Sequence, residues 1–233
     1  MALSFYLHFI NKLGYTYFMS YIDFHTHILP DIDDGVLTFD NLDEMLNIYS
    51  EVGFSKIVCT PHLYNPYVKT NVKEIKETFY KVRDLAKQSY NIDCYIGSEY
   101  YYYNQDNILG IPINSKFQLV ELPTTLPPSD FIDKFYQLSK TGMKIILAHV
   151  ERYPYLRVGS PELDKLINMG VFIQINASSL AYNNGLEFVE NEIADIIATD
   201  NHGNMKLPIQ FMQQIDRYPY LKKRMEKINL NYF

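Results

Sequence analysis

Two hydrophobic periods take turns along this chain. Short apolar runs rich in Ile, Val, Phe and Tyr predict strands at Tyr21–Phe24, Lys56–Cys59, Asp93–Ile96, Phe117–Val120, Lys144–Ala148, Val171–Ile175 and Ile193–Ala198. Between several of them, apolar positions recurring every three to four residues predict helices at Asn41–Val52, Val72–Ser89, Ser129–Thr141 and Pro161–Met169. A further segment, Met205–Lys227, follows the last strand. Gly53, Gly142 and Gly170 each stand where a helix ends and the next strand begins, as a C-terminal cap requires. Strands alternating with helices imply right-handed crossovers and a parallel sheet. No Gly/Ser linker, repeat or long charge block marks a domain boundary, so 21–233 reads as one α/β domain.

Composition narrows the class. With 47% apolar and 21% charged residues the chain is globular rather than disordered. A net charge of −6 argues against binding nucleic acid through overall charge and leaves anions to a local metal or arginine site. Two cysteines, Cys59 and Cys94, are too few for a disulfide framework and suit a reducing cytoplasm. Residues 1–20 are apolar and aromatic but lack a basic start and a small-residue cleavage site, and His8, Asn11 and Lys12 interrupt them. They read as an N-terminal extension, a short helix packed on the barrel or on a neighbouring subunit, with Met19 as an alternative start. No run reaches the length of a membrane span, and the expected location is the cytoplasm.

The residues that follow the strands change the picture. In chain order they are His25 and His27, His62, Glu99, Glu121, His149, Asn176, and Asp200 with His202. Six of the seven strands run into a residue able to ligate a metal, and five of the six histidines belong to the set. In a β/α barrel the C-terminal ends of the strands converge on one face, so these scattered residues would meet in one cup. In "HTH" the middle residue points away and both imidazoles face one side. Imidazole with carboxylate suits zinc, manganese or iron.

Other features read more plainly. Asp31 and Asp33 of "DIDDG" are ordinary turn formers. The tyrosines of "EYYYYN" fit a tyrosine-rich strand and edge. Neither cysteine has the arginine six residues on that a cysteine phosphatase needs, so both read as buried spectators. Arg152, in "AHVERY", is either a surface arginine paired with Glu151 or a guanidinium fork for a phosphate lying in the cup.

The motifs "DFHTHILPDIDDG", "VCTPHLYNP", "IGSEYYY", "LVELP", "LAHVERYPYL" and "ATDNHG" together resemble the PHP (polymerase and histidinol phosphatase) superfamily of metal-dependent phosphoesterases. Within it the chain is most similar to bacterial manganese-dependent protein-tyrosine phosphatases of capsule and exopolysaccharide operons. The motifs cover Tyr21 to about His202 in the family's order. The resemblance implies a distorted seven-stranded β/α (TIM-like) barrel, matching the seven strands counted above. It also implies three metals: one held by His25, His27, Glu99 and Asp200; a second by Glu99, Glu121 and His149; a third by Asp34, His62 and His202. Arg152 would bind the substrate phosphate. Two departures stand out: "DNHGNMKLP" offers Lys206 where relatives often carry an arginine, and Leu180–Glu192 is short for the usual helix, leaning towards an open cup near Asn183.

The expected activity is metal-dependent hydrolysis of phosphotyrosine on a protein, in particular a bacterial tyrosine kinase controlling polysaccharide export. Alternatives are a small-molecule phosphatase resembling histidinol-phosphate phosphatase, which needs a closed pocket, and an inactive metal-stabilised scaffold that binds a kinase tail. A homo-oligomer is compatible with either.

Overall fold

The strands are parallel, and the side chains that matter sit at one end of them. The structure is a computed structural model that describes residues 21–181 and 185–233; residues 1–20, with His8, and residues 182–184, with Asn183, lie outside the described residues. Nine strands alternate with seven helices among the described residues: β1 (Tyr21–Thr26), α1 (Phe39–Glu51), β2 (Phe54–Cys59), β3 (His62–Leu63), α2 (Val72–Tyr90), β4 (Asp93–Ile96), β5 (Glu99–Tyr101), β6 (Phe117–Glu121), α3 (Phe131–Lys140), β7 (Lys144–Leu147), α4 (Pro161–Asn168), β8 (Phe172–Asn176), α5 (Leu186–Glu190), β9 (Ile196–Ala198), α6 (Leu207–Ile215) and α7 (Pro219–Tyr232).

Helix boundaries follow local chemistry. Thr38 caps α1 by accepting from the Asn41 N–H at 3.1 Å, and Asn71 caps α2 by accepting from Lys73 N–H at 2.8 Å. The helix α1 buries Leu42, Met45, Leu46 and Tyr49, a stripe at the 3.6-residue period. The three glycines expected to end helices all have left-handed backbones, with φ of 101° at Gly53, 86° at Gly142 and 80° at Gly170. The Met205–Lys227 segment is two helices, α6 and α7, because the residue before Pro219 is steered away from helical geometry.

The seven strands expected from the sequence appear as nine. They form two sheets, β1-β2-β4 and β3-β5-β6-β7-β8-β9. The extra strands, β3 and β5, continue the lines of β2 and β4 after short breaks. Pro61 has no N–H to give the ladder. At the second break Ser98 turns to the 108–113 segment, its N–H bonding Ile111 O at 3.0 Å and its hydroxyl accepting from Ile111 N–H at 2.8 Å. Single bonds carry pairing across the gaps, Gly97 N–H to Cys59 O and Glu99 N–H to Pro61 O, at 2.9 and 3.0 Å. At the other edge the chain beyond β9 meets β1: Asp200 N–H bonds His25 O and His27 N–H bonds Asn201 O, both at 2.9 Å.

The core is apolar from Phe24 through Ile57, Val120, Ile146, Ile173 and Ile197. At the N-terminal end of the strands Phe233 packs edge-on against Phe24 and Tyr95, ring centroids 5.5 and 4.8 Å away. Polar residues gather at the opposite end.

Candidate metal centre

The nine residues predicted as ligands meet at the C-terminal ends of the strands. His25 lies in β1, His27 just beyond it, His62 in β3, Glu99 opens β5 and Glu121 closes β6. Thr26 turns away, its hydroxyl donating to Val58 O at 2.8 Å, so both neighbouring imidazoles face the cup. His149 follows β7 with φ 32°, and Asp200 follows β9 with φ 51°. Left-handed backbone at two non-glycine residues is a local strain of the kind found at functional sites. Gly35 is required by close approach: a Cβ there would collide with the His27 carbonyl oxygen, which accepts from Val36 N–H as the loop folds back.

Three groups of ligand atoms lie within 4.8 Å of one another: His25, His27 and Asp200; His62, Glu99 and Glu121; and His27, Asp34, His62 and His202. His149 joins through its Nε2, 2.8 Å from Glu99 Oε1 and 3.8 Å from Glu121 Oε1. Glu99 reaches towards the first group as well, 3.4 Å from the Nε2 atoms of both His25 and His27. Proximity divides the residues differently from the resemblance, since His62 falls between Glu99 and Asp34 and His27 is shared by two groups. Asp34 is the outermost member, its side chain 54% exposed.

Hydrogen bonds behind the ring decide which nitrogen faces inward. His25 Nδ1 donates to Gln174 Oε1 at 3.2 Å, His27 Nδ1 to Asp33 Oδ2 at 2.7 Å, and His202 Nδ1 to Asp200 O at 3.0 Å. Each partner is an acceptor only, so each Nδ1 carries a proton and each Nε2 is the nitrogen whose lone pair faces inward once a cation displaces any proton there. His25 Nε2 and His27 Nε2 both face the cup, 3.1 Å apart. Glu99 Oε2 is buried without a hydrogen bond, although His62 Nδ1 is 2.9 Å away. Facing imidazole nitrogens and a buried, unsatisfied carboxylate oxygen fit cations; four carboxylates beside five imidazoles suit a metal of intermediate softness.

Electrostatics agree. Burial, then the charges of Glu99 and Asp200, push the Glu121 carboxyl up to about 9. Burial alone would lower His25, but Glu99 and Asp200 outweigh it and the net direction is up. Burial would raise Asp33, but His27 outweighs it and holds the carboxyl down at about 2. The cup carries more negative charge than it can ionise without cations.

Several members are not singled out in the sequence. Asp33 does make the expected turn bond, accepting from Gly35 N–H at 3.1 Å, yet its other oxygen holds His27 and accepts from His62 N–H at 3.1 Å. Gln174 accepts from both His25 Nδ1 and His149 N–H and donates to Asn176, which in turn donates to Asp200 Oδ2 at 2.8 Å. Asn176 thus supports a carboxylate. The signal for Gln174 was its place two residues before Asn176, on the same strand face. Deeper still, Asp23 accepts from Tyr49 OH at 2.8 Å and Thr199 Oγ1 at 2.5 Å, tying β1 to β9 and α1.

Arg152 does not pair with Glu151 in an ion pair; its Nη2 donates to Asp200 Oδ2 at 2.5 Å, and the side chain is 46% exposed. Nε and Nη1 have no hydrogen-bond partner among the described residues. Lys206 is exposed at the start of α6. Among its described residues the segment between β8 and β9 holds a 3-10 helix, Ala177–Ala181, and the five-residue α5. Cys59 and Cys94 are both buried, and the Cys59 thiol is pushed up by its hydrogen bond with Cys94 and by burial, the reverse of an activated nucleophile.

Comparison with known proteins gives a consistent answer. The family model described as "Capsular polysaccharide synthesis, CpsB/CapC" matches residues 21–231. The tyrosine-protein phosphatase CpsB of Streptococcus pneumoniae is 27% identical over 219 residues, 83% of this chain and 87% of that protein. The tyrosine-protein phosphatase YwqE of Bacillus subtilis is 29% identical over 196 residues, 78% of this chain and 77% of that protein. A solved structure from work on YwqE and CpsB, described there as unique metal-dependent tyrosine phosphatases, superposes with a TM-score of 0.72 at 27% identity, covering 89% of this chain and 87% of that one. A TatD-family hydrolase from Entamoeba histolytica, at 13% identity, shares the fold with a TM-score of 0.53 over 92% of this chain and 98% of that one.

Proposed function

The chain belongs to the CpsB/CapC family of capsular polysaccharide synthesis, and from that premise we propose that it is a metal-dependent tyrosine-protein phosphatase whose substrate is a phosphotyrosine-bearing protein. The observation that carries the metal dependence is the pair of inward Nε2 atoms of His25 and His27, 3.1 Å apart and 3.4 Å from Asp200 Oδ1. The tyrosine-phosphatase activity rests on the relatives, of which CpsB and YwqE carry that description.

His25, His27, Glu99 and Asp200 would hold one metal, Glu99, Glu121 and His149 a second, and Asp34, His62 and His202 a third; the resemblance implies manganese, and zinc or iron also suits an imidazole–carboxylate set. His62 lies close enough to Glu99 and Glu121 to be shared between the last two. Bound divalent metals supply Lewis acidity, neutralising phosphate oxygens and making water acidic enough to serve as nucleophile near neutral pH. Arg152 extends its two unpaired guanidinium nitrogens to the phosphate while Nη2 stays on Asp200. Asp33, Gln174 and Asn176 keep the ligands aimed. No thiol takes part.

The finer readings go with this one. The strand lines β1, β2/β3, β4/β5, β6, β7, β8 and β9 are one distorted seven-stranded barrel, a reading supported by the bonds across the two breaks and by the β1–β9 contact. The substrate is a tyrosine kinase of polysaccharide export, and the enzyme works in the cytoplasm; no helix among the described residues is long and apolar enough to cross a membrane. The deciding experiment is metal analysis of the purified protein beside assays on a phosphotyrosine peptide and on histidinol phosphate, with and without EDTA. Metal-dependent turnover of the peptide over histidinol phosphate supports the reading; the opposite preference replaces it with a small-molecule phosphatase, and metal without turnover with a scaffold.

A further inference from the structure

On the side of the cup formed by β3, β5 and β6 the rim is aromatic. Tyr101 pairs with Glu121 across β5 and β6, so both side chains leave the same face of the sheet, and Glu99, two residues earlier, leaves it too. Asn65, in the loop after β3, donates to Glu121 Oε2 at 3.4 Å and lies 3.5 Å from His62 Nδ1. Its side-chain oxygen accepts from the Tyr67 N–H at 2.9 Å. One amide therefore touches the ligand cluster and fixes the turn that carries Tyr67, which is 91% exposed. The Tyr101 phenol is raised by burial and then by the charges of Glu121, Tyr67 and Tyr103, so these four groups share one neighbourhood. A single exposed ring needs no explanation. An exposed ring whose backbone is fixed through Asn65 to the ligand cluster, near a second tyrosine that pairs with Glu121, gives the charged cup an apolar step at its lip.

We propose that Tyr67 and Tyr101 form a ledge for the phenyl ring of the substrate phosphotyrosine and so set a preference for aryl over alkyl phosphate esters. The assignment rests on the phosphatase reading above. With phosphorus among the ligands, the ester oxygen leads a ring outward over this rim, where edge or offset contacts with tyrosine are available. An alkyl ester gains nothing comparable from the same step. Ring–ring contacts of this kind are worth about three- to ten-fold in affinity.

The test uses the manganese-loaded protein and two non-hydrolysable probes that share a head group, phenylphosphonate and methylphosphonate, titrated by calorimetry. Tyr67→Ala should weaken phenylphosphonate about three- to ten-fold and leave methylphosphonate unchanged. Tyr67→Phe should restore phenyl binding, since the ring and not the hydroxyl is used. Tyr101→Ala should act in the same direction; if that half-buried position does not tolerate the change, Tyr67→Ala carries the test alone, because its ring is exposed. Equal weakening of both phosphonates, or no change in either, overturns the ledge. A parallel assay on a phosphotyrosine peptide separates the two questions. Phenyl selectivity without peptide turnover in the wild type overturns the phosphatase reading and leaves the ring site; turnover without selectivity does the reverse.

Discussion

His25 Nε2 and His27 Nε2 point at each other across 3.1 Å, each with a proton committed to the far side of the ring by Gln174 and Asp33. Without a cation, and against the cost of burial, the charges of the surrounding carboxylates keep protons on both rings. The facing geometry is stable when a cation lies among the two imidazoles and the carboxylates that surround them. EDTA should therefore abolish phosphatase activity, and manganese should restore it better than magnesium, which prefers oxygen ligands and keeps its water. Alkylation of accessible thiols should leave activity intact, since Cys59 and Cys94 are buried. Thiol-sensitive activity with metals retained would overturn the metal mechanism.

Metal loading should depend on pH with a definite sign. In the metal-free cup the carboxylates outweigh burial and raise both His25 and His27, so they hold protons where free imidazole has lost them. A cation must displace those protons. Affinity should fall as pH is lowered through the range where these histidines take up protons and rise as pH increases. Calorimetric titration in two buffers of different ionisation enthalpy measures the protons released; zero release at neutral pH would contradict the assigned electrostatics.

Asp33 touches no proposed substrate, yet it should matter. Asp33→Ala frees His27 to rotate and leaves the Gly35 and His62 N–H groups without their acceptor. Loss of such a supporting carboxylate typically costs about 10- to 100-fold in metal affinity. Asp33→Asn, which keeps an acceptor of the same shape, should fall between. Metal affinity read by competition with a chelator distinguishes this from simple destabilisation, which would instead lower the melting temperature of the metal-free protein.

Much of this was legible in the sequence because parallel strands bring their C-terminal ends to one place, which makes a strand-end histidine informative without knowing its neighbours. Every proposed ligand was found that way or through the motif order that supplied Asp34. The supporting residues were not, because their role depends on contacts far along the chain: Gln174 is 149 positions from His25, and only the finished sheet puts them together. Asp33 was read by its local turn bond, which is real, while its bond to His27 arises from the fold-back at Gly35. The strand count failed where Pro61 and Ser98 interrupt the ladder, details that periodicity does not register.

Glu99 is the ligand that the geometry uses most. Its oxygens lie within 3.4 Å of His25, His27, His62 and His149, and it is buried. Glu99→Gln keeps the volume but removes the charge, so turnover should be lost and metal content reduced. The apolar core below should hold the fold, visible as an unchanged far-ultraviolet circular dichroism spectrum. Wild-type turnover in this variant would sink a multinuclear site.

Arg152 is the harder case, because its bond to Asp200 admits a purely structural role. If that bond were its whole function, removal would loosen Asp200 and lower metal affinity, with any loss of activity recovered by saturating manganese. If the guanidinium also holds phosphate, a deficit must persist at full metal occupancy. Two nitrogens without partners beside the cup favour the second outcome. Arg152→Ala should then cost about 2–4 kcal/mol in kcat/KM on a phosphotyrosine peptide at saturating metal, as loss of a charged oxyanion donor does. Arg152→Lys should recover only part, since an ammonium can bond Asp200 or the phosphate but cannot reproduce the planar fork that reaches both. Because Asp200 also loses a partner, metal affinity should fall in the alanine variant by less than in Asp33→Ala, Asn176 still holding the same Asp200 oxygen at 2.8 Å. Wild-type kcat/KM in Arg152→Ala at full occupancy would leave phosphate recognition to the metals, with exposed Lys206 the next cation to examine.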